Sequence, residues 1–171
     1  MTLPNWVTLL RILFIPLLVF FLLSPNVAYN REIAVVIFVT VAISDYFDGF
    51  LARRLKQETA FGKFLDPLAD KILVISALLC LVELKAISSV PVIIIIVRDF
   101  MVIALRLAAS SSGKIIAADR LGKYKTFILD VAAAMLISRL PYGDWMLWLG
   151  VAAAVVSGIE YFAKNWSILH G

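Results

Sequence analysis

The sequence predicts an all-α integral membrane protein, a bundle of six transmembrane helices with both termini in the cytoplasm, and three observations carry that expectation. Of its 171 residues, 63% are hydrophobic and only 16% charged, against about 45–50% and about 25% in soluble domains. The apolar residues gather into runs near the roughly 20 residues that a bilayer-spanning helix needs. Short turn signals separate the runs, so the chain reads as one domain over residues 1–171, with no room for a second, soluble one.

Taken in order, the spans fall at about residues 6–24, 32–56, 66–84, 90–112, 121–140 and 145–164. The first run contains Arg11 and ends at Ser24-Pro25-Asn26 without a small-x-small cleavage pattern, so it is read as a retained span and not a signal peptide. Pro25-Asn26 and Asn30 break the first connection, Gly62 with its charged flank the second, and Ser88-Ser89 before Pro91 the third. Ser110-Ser111-Ser112-Gly113 marks the fourth and Pro141-Tyr142-Gly143-Asp144 the fifth. Runs this long and continuous do not suit barrel strands, and helices satisfy their own backbone in lipid. Cys80 sits within an apolar run as packing, and as the single cysteine it excludes an intramolecular disulfide.

Cations set the orientation. Arg53, Arg54, Lys56, Lys63, Lys114, Arg120, Lys123, Lys125 and Lys164 fall on the side of the second loop, the fourth loop and the C-terminus, whereas Arg31, Lys85 and Arg139 fall on the other. The positive-inside bias therefore puts the basic loops in the cytoplasm. The aromatic residues Trp6, Tyr142, Trp145, Trp148, Tyr161 and Trp166 lie near span ends and read as an interfacial belt. Asp130 and Glu160 read as inter-helix hydrogen-bond partners. The basic loop is short, lacks an aromatic platform and adjoins the membrane, which excludes a nucleic-acid site.

The segment 45–71 carries the chemistry: four aspartates interrupt membrane-grade sequence. A carboxylate near the centre of a spanning helix costs about 2.5 kcal/mol or more and marks function by default. Asp45 and Asp48 are spaced i,i+3 and share one face of the second helix; Asp66 and Asp70, spaced i,i+4, share one face of the third. Facing each other, the two pairs form an all-oxygen cage suited to hard divalent cations, magnesium, manganese or calcium, over zinc. Gly49 and Ala52 clear volume on the face of Asp45 and Asp48, Gly62 clears it before Asp66, and Arg53 supplies a charge for a phosphate. Carboxylate-held metal, a glycine-lined notch and an arginine describe a pyrophosphate site.

The run Asp45-x-x-Asp48-Gly49-x-x-Ala52-Arg53, eight residues, then Gly62-x-x-x-Asp66-x-x-x-Asp70 resembles the signature of the CDP-alcohol phosphotransferase family at all eight fixed positions. The resemblance implies six transmembrane helices, a homodimer, and transfer of a phosphatidyl or similar group from a CDP-linked donor to an alcohol with release of CMP. It implies that Asp45, Asp48, Asp66 and Asp70 ligate two divalent ions, Mg2+ or Mn2+, with Asp70 also the general base. Gly49, Ala52, Arg53 and Gly62, with Asp48, would border the cytidine and pyrophosphate. Less sharply, the opening Leu3-Pro4-Asn5-Trp6-Val7-Thr8-Leu9-Leu10-Arg11, the stretch Val97-Arg98-Asp99-Phe100 and the stretch Leu121-Gly122-Lys123-Tyr124-Lys125-Thr126 are similar to family members that use glycerol 3-phosphate. That likeness turns Asn5 and Thr8 toward the nucleotide and makes CDP-diacylglycerol and glycerol 3-phosphate the expected substrates.

Arg98, Arg106, Lys114, Lys123 and Lys125, with Arg120, supply more positive charge than a neutral acceptor requires, and are candidates for its phosphate. Each also has a plain alternative: a buried ion pair for Arg98 and Asp99, snorkelling for Arg106, and a lipid-touching basic loop for the rest. Inositol, serine or phosphatidylglycerol as acceptor stays open within the family. An ion transporter would place its acids mid-span in repeated halves. A membrane prenyltransferase would need more spans and other aspartate spacings. Neither fits the pattern as well.

Overall fold

The computed structural model describes residues 3–55, 60–111 and 120–165, with side chains described over 12–44, 71–109 and 121–165. Those residues form six α-helices and no strand: α1 (Leu3–Leu23), α2 (Asn30–Leu55), α3 (Ala60–Glu83), α4 (Ser89–Ser111), α5 (Arg120–Ile137) and α6 (Gly143–Lys164). Among the described residues, α6 meets the length and apolarity of a membrane-crossing helix, and α1 holds a shorter apolar stretch, Ile12–Leu23.

Helix ends follow local chemistry. Ser88 Oγ accepts from Val90 N–H at 3.3 Å and caps the start of α4. At the end of α3, Ala86 N–H reaches back to Leu81 O and Lys85 N–H to Val82 O, both at 2.9 Å. Leu140 and Arg139 repeat the pattern on Met135 O and Leu136 O after α5. Both are Schellman closures, and both place a cation in the left-handed position, Lys85 at φ 54° and Arg139 at φ 54°. The closure ends α5 at Ile137, three residues short of the run expected to reach 140. In the other direction, α3 begins at Ala60, so Gly62 lies inside its first turn instead of breaking the chain before 66. A glycine there costs at most about 1 kcal/mol of helix propensity, too little to stop a strongly apolar helix.

The chain divides into two units, residues 1–87 with 133–141 and residues 88–132 with 142–171. In the first, α1 packs on α2 and α3. Leu18 and Leu22 of α1, Ala34 and Phe38 of α2, and Leu73, Ala77, Leu78 and Leu81 of α3 are buried at helical spacing. Arg31 Nη1 donates to Ile137 O at 3.5 Å, at the end of α5. The outer faces are as apolar as the inner ones: Leu13 is 73% exposed, Val36 64% and Phe20 56%. Water does not favour such a surface, but hydrocarbon does, and packing between helices then rests on close van der Waals fit.

In the second unit, α4 packs along α6. Arg98 meets Ala154 and Ser157, and Arg106 meets Tyr161; partners advance together along both helices, so the two run parallel. Helix α5 runs the other way. Its Lys125 reaches Asp99 beside that seam, while Leu129, one turn further on, lies against Gly150, one turn earlier in α6 than Ala154. The buried face of α6 is Leu147, Gly150, Val151, Ala154, Ser157, Gly158 and Tyr161. Small residues let the neighbours close in: a Cβ on Gly150 would lie 2.5 Å from Leu129 Cδ2, and one on Gly158 would lie 3.1 Å from Arg98 Cγ.

Candidate active site

Asp45, Asp48, Gly49, Ala52 and Arg53 lie in the second half of α2, and Gly62, Asp66 and Asp70 in the first half of α3. The backbone is helical over both stretches, so the i,i+3 and i,i+4 spacings keep the one-face register expected for each aspartate pair. The side chains of these eight residues lie outside the described set, as do those of Asn5 and Thr8 in α1 and of Arg120; Lys114 lies outside it altogether. Just before Asp45, Ser44 Oγ donates to Thr40 O at 2.8 Å, which satisfies the hydroxyl within its own helix.

The second unit gathers the remaining cations very unevenly. Lys125 Nζ donates to Asp99 Oδ1 at 2.7 Å and to Oδ2 at 2.8 Å, and Arg98 Nη1 donates to the same Oδ1 at 2.9 Å. Arg98 also donates from Nε to Ala154 O at 3.1 Å and from Nη2 to Ser157 Oγ at 2.8 Å. Asp99 and Lys125 are each only 3% exposed. The carboxylate thus binds α4 to α5 through Lys125, and Arg98 binds α4 to α6. Gly158 makes room for the aliphatic stem of Arg98, and Ser157 Oγ itself donates a hydrogen bond to Ala154 O at 3.1 Å.

Lys125 therefore differs from a loop cation: it sits in the second turn of α5, buried, whereas Lys123, two residues earlier, is exposed. A half-turn of helix separates the two, enough to send one side chain inward and the other outward. Arg106 is half-buried. Its Nε donates to Tyr161 Oη at 3.0 Å, and its Cζ stands 5.5 Å from the centre of the Tyr161 ring. Tyr161 is 3% exposed and so belongs to the α4–α6 seam, not to the interfacial belt; Trp145 and Tyr142, at 78% and 74%, fit the belt. Glu160 pairs with Lys164 one turn along the same helix, not across helices.

Sequence spacing did not reveal Ser157, Gly158 and Tyr161 as partners of the two arginines. The available signal was the recurrence of small residues at 150, 154, 157 and 158, which marks a close helix contact without saying what it holds.

With this geometry in place, comparison with known proteins identifies the class. The chain matches the CDP-alcohol phosphatidyltransferase family over residues 1–156, and it belongs to that family. More particularly, it is 40% identical over 186 residues to a CDP-diacylglycerol–glycerol-3-phosphate 3-phosphatidyltransferase of Bacillus subtilis (strain 168), covering 98% of this chain and 96% of that protein. Proteins of the same name from Shigella flexneri serotype 5b (strain 8401) and Rickettsia typhi (strain ATCC VR-144 / Wilmington) are 36% and 33% identical, covering 97% and 94% of this chain and 90% and 94% of their own lengths.

Proposed function

We propose that the protein transfers the phosphatidyl group of CDP-diacylglycerol to glycerol 3-phosphate, giving phosphatidylglycerophosphate and CMP. What supports this most directly is near full-length likeness to relatives whose name specifies both substrates, joined to an aspartate motif complete at all eight positions on α2 and α3.

The donor set fits a hard divalent cation, because four carboxylates in helical register supply oxygen ligands only. Asp45, Asp48, Asp66 and Asp70 would hold one or two ions, Mg2+ or Mn2+; among the described residues there is no competing acidic or histidine cluster. When bound, the metal supplies charge neutralisation at the pyrophosphate. Asp70 takes the proton from the 1-hydroxyl of glycerol 3-phosphate as that oxygen attacks the lipid-side phosphorus. Arg53 offsets charge on the departing CMP, while Gly49, Ala52 and Gly62 leave space for the nucleotide, with Asn5 and Thr8 at its edge. Arg106, Lys114 and Lys123 set the electrostatic field that draws in the acceptor's phosphate, while Arg98 and Lys125, tied to Asp99, brace the helices that carry them.

The protein works as a six-span homodimer in the cytoplasmic membrane, its site facing the cytoplasm. The substrates support this placement: the donor's acyl chains stay in lipid and the acceptor arrives from water. Purified protein with CDP-diacylglycerol and magnesium is expected to release CMP on addition of glycerol 3-phosphate, and to stop on chelation. Release with inositol or serine instead would overturn the acceptor and keep the family.

A further inference from the structure

We propose that Tyr161 is a positioning residue for the acceptor's phosphate: its buried hydroxyl holds Arg106 by Nε, so that the guanidinium presents its two terminal amino groups as a fixed fork to a phosphate monoester. This rests on the reading of glycerol 3-phosphate as acceptor and adds to it a residue that touches no substrate.

The two arginines on the seam are held in opposite ways. Arg98 and Arg106 are eight residues apart on α4, about 12 Å along the axis and about 80° apart around it, and both reach α6. Arg98 commits all three of its nitrogens, to Ala154 O, Asp99 and Ser157, and is a clamp. Arg106 commits only Nε, to Tyr161, and neither of its terminal amino groups has a hydrogen-bond partner among the described residues. An arginine whose work was only to join helices would spend that fork on acceptors of the protein, as Arg98 does on the Asp99 carboxylate and the Ser157 hydroxyl. Held at Nε, the guanidinium keeps its end-on pair of donors, the geometry that meets two phosphate oxygens at once.

Tyr161 is fixed before any ligand arrives. Its ring packs with Val102, Leu105 and Phe162, and its carbonyl accepts from Asn165 Nδ2 at 2.7 Å, which ties down the last turn of α6. The ring face adds attraction for the guanidinium, so Arg106 loses little freedom when it binds an anion. Arg106 also lies five residues before the end of α4, about 8 Å from that terminus, where a water-borne phosphate reaches it. The same fork chemistry would suit the headgroup of an anionic lipid, and the test separates the two sources.

Steady-state CMP release is measured for Tyr161→Phe, Arg106→Lys and the double variant, with each substrate varied in turn. Tyr161→Phe removes one oxygen and keeps the ring and its packing. It is expected to raise KM for glycerol 3-phosphate about fivefold to tenfold, the scale of one hydrogen bond, with kcat and KM for CDP-diacylglycerol within about twofold of the parent. Arg106→Lys keeps the charge but loses the fork, and is expected to raise the same KM at least as far; adding Tyr161→Phe to it changes nothing further. Unchanged KM for glycerol 3-phosphate in Tyr161→Phe, equal loss on both substrates, or additive effects in the double variant would each overturn the proposal. So would an effect seen only in activation by phosphatidylglycerol in mixed micelles, which would assign the fork to lipid. A parent protein that ignores glycerol 3-phosphate and responds to inositol would refute the acceptor reading itself, a result distinct from any of these.

Discussion

Lys125 Nζ bonds both carboxylate oxygens of Asp99, at 2.7 and 2.8 Å, across a separation of 26 residues and two helices. Both residues are buried, and Arg98 shares one of the oxygens. Removing the carboxylate of such a bridge takes the counter-charge from two cations in a medium of low polarity, which costs about 3–5 kcal/mol. Asp99→Ala is therefore expected to lower thermal stability in detergent far more than removal of an exposed pair. Lys164→Ala, which breaks the exposed Glu160 pair one turn away on α6, is expected to cost under about 1 kcal/mol. Equal shifts in melting temperature for the two variants would show that the Asp99 bridge carries no special weight.

Close approach of α5 and α6 gives a second expectation. Gly150→Ala puts a methyl group 2.5 Å from Leu129 Cδ2, an overlap that a buried leucine relieves only by leaving its rotamer, at about 1–3 kcal/mol. Gly122→Ala, on the same α5, meets nothing within 4 Å and is expected to gain about 0.5–1 kcal/mol from helix propensity. Opposite signs in thermal unfolding are the result to look for; two gains would mean that helix packing at Gly150 is looser than these distances indicate.

These two cases show where sequence reading reaches and where it stops. The six helices were legible because apolar length is a local property, and the aspartate motif because its members sit within 26 consecutive positions on two adjoining helices. Gly62 was misread as a break because its propensity cost is small beside the apolar run that follows it. The burial of Lys125 was not legible because it depends on a half-turn of phase and on a partner 26 residues away. Tyr161 was taken for an interfacial aromatic because its place at a span end is local, whereas its bond to Arg106 spans 55 residues.

Lys85 offers a test of backbone strain. It occupies φ 54° at the Schellman closure of α3, a conformation that costs an ordinary residue about 1 kcal/mol or more and glycine almost nothing. Lys85→Gly is expected to leave stability unchanged or raise it by up to about 1 kcal/mol, and Lys85→Ile to lower it by about 1–2 kcal/mol. The order of the three melting temperatures, Gly at or above Lys and Lys above Ile, checks it. Activity is expected to stay at the parent level in both variants.

The aspartates separate by role. If Asp70 is the base, Asp70→Asn keeps the volume and polarity of the side chain while removing its ability to take the hydroxyl proton. CMP release is expected to fall by about 10²–10⁴-fold, while CDP-diacylglycerol still binds in the presence of magnesium. Asp45→Asn removes a charge whose work is to hold the metal, so the magnesium concentration needed for half-maximal donor binding is expected to rise and donor binding to weaken with it. Donor binding measured across a magnesium titration, beside turnover, distinguishes the two variants. Should Asp70→Asn retain most of its turnover, the proton goes elsewhere and Asp70 is a ligand only; should Asp45→Asn bind donor at the parent magnesium concentration, the cage does not include it.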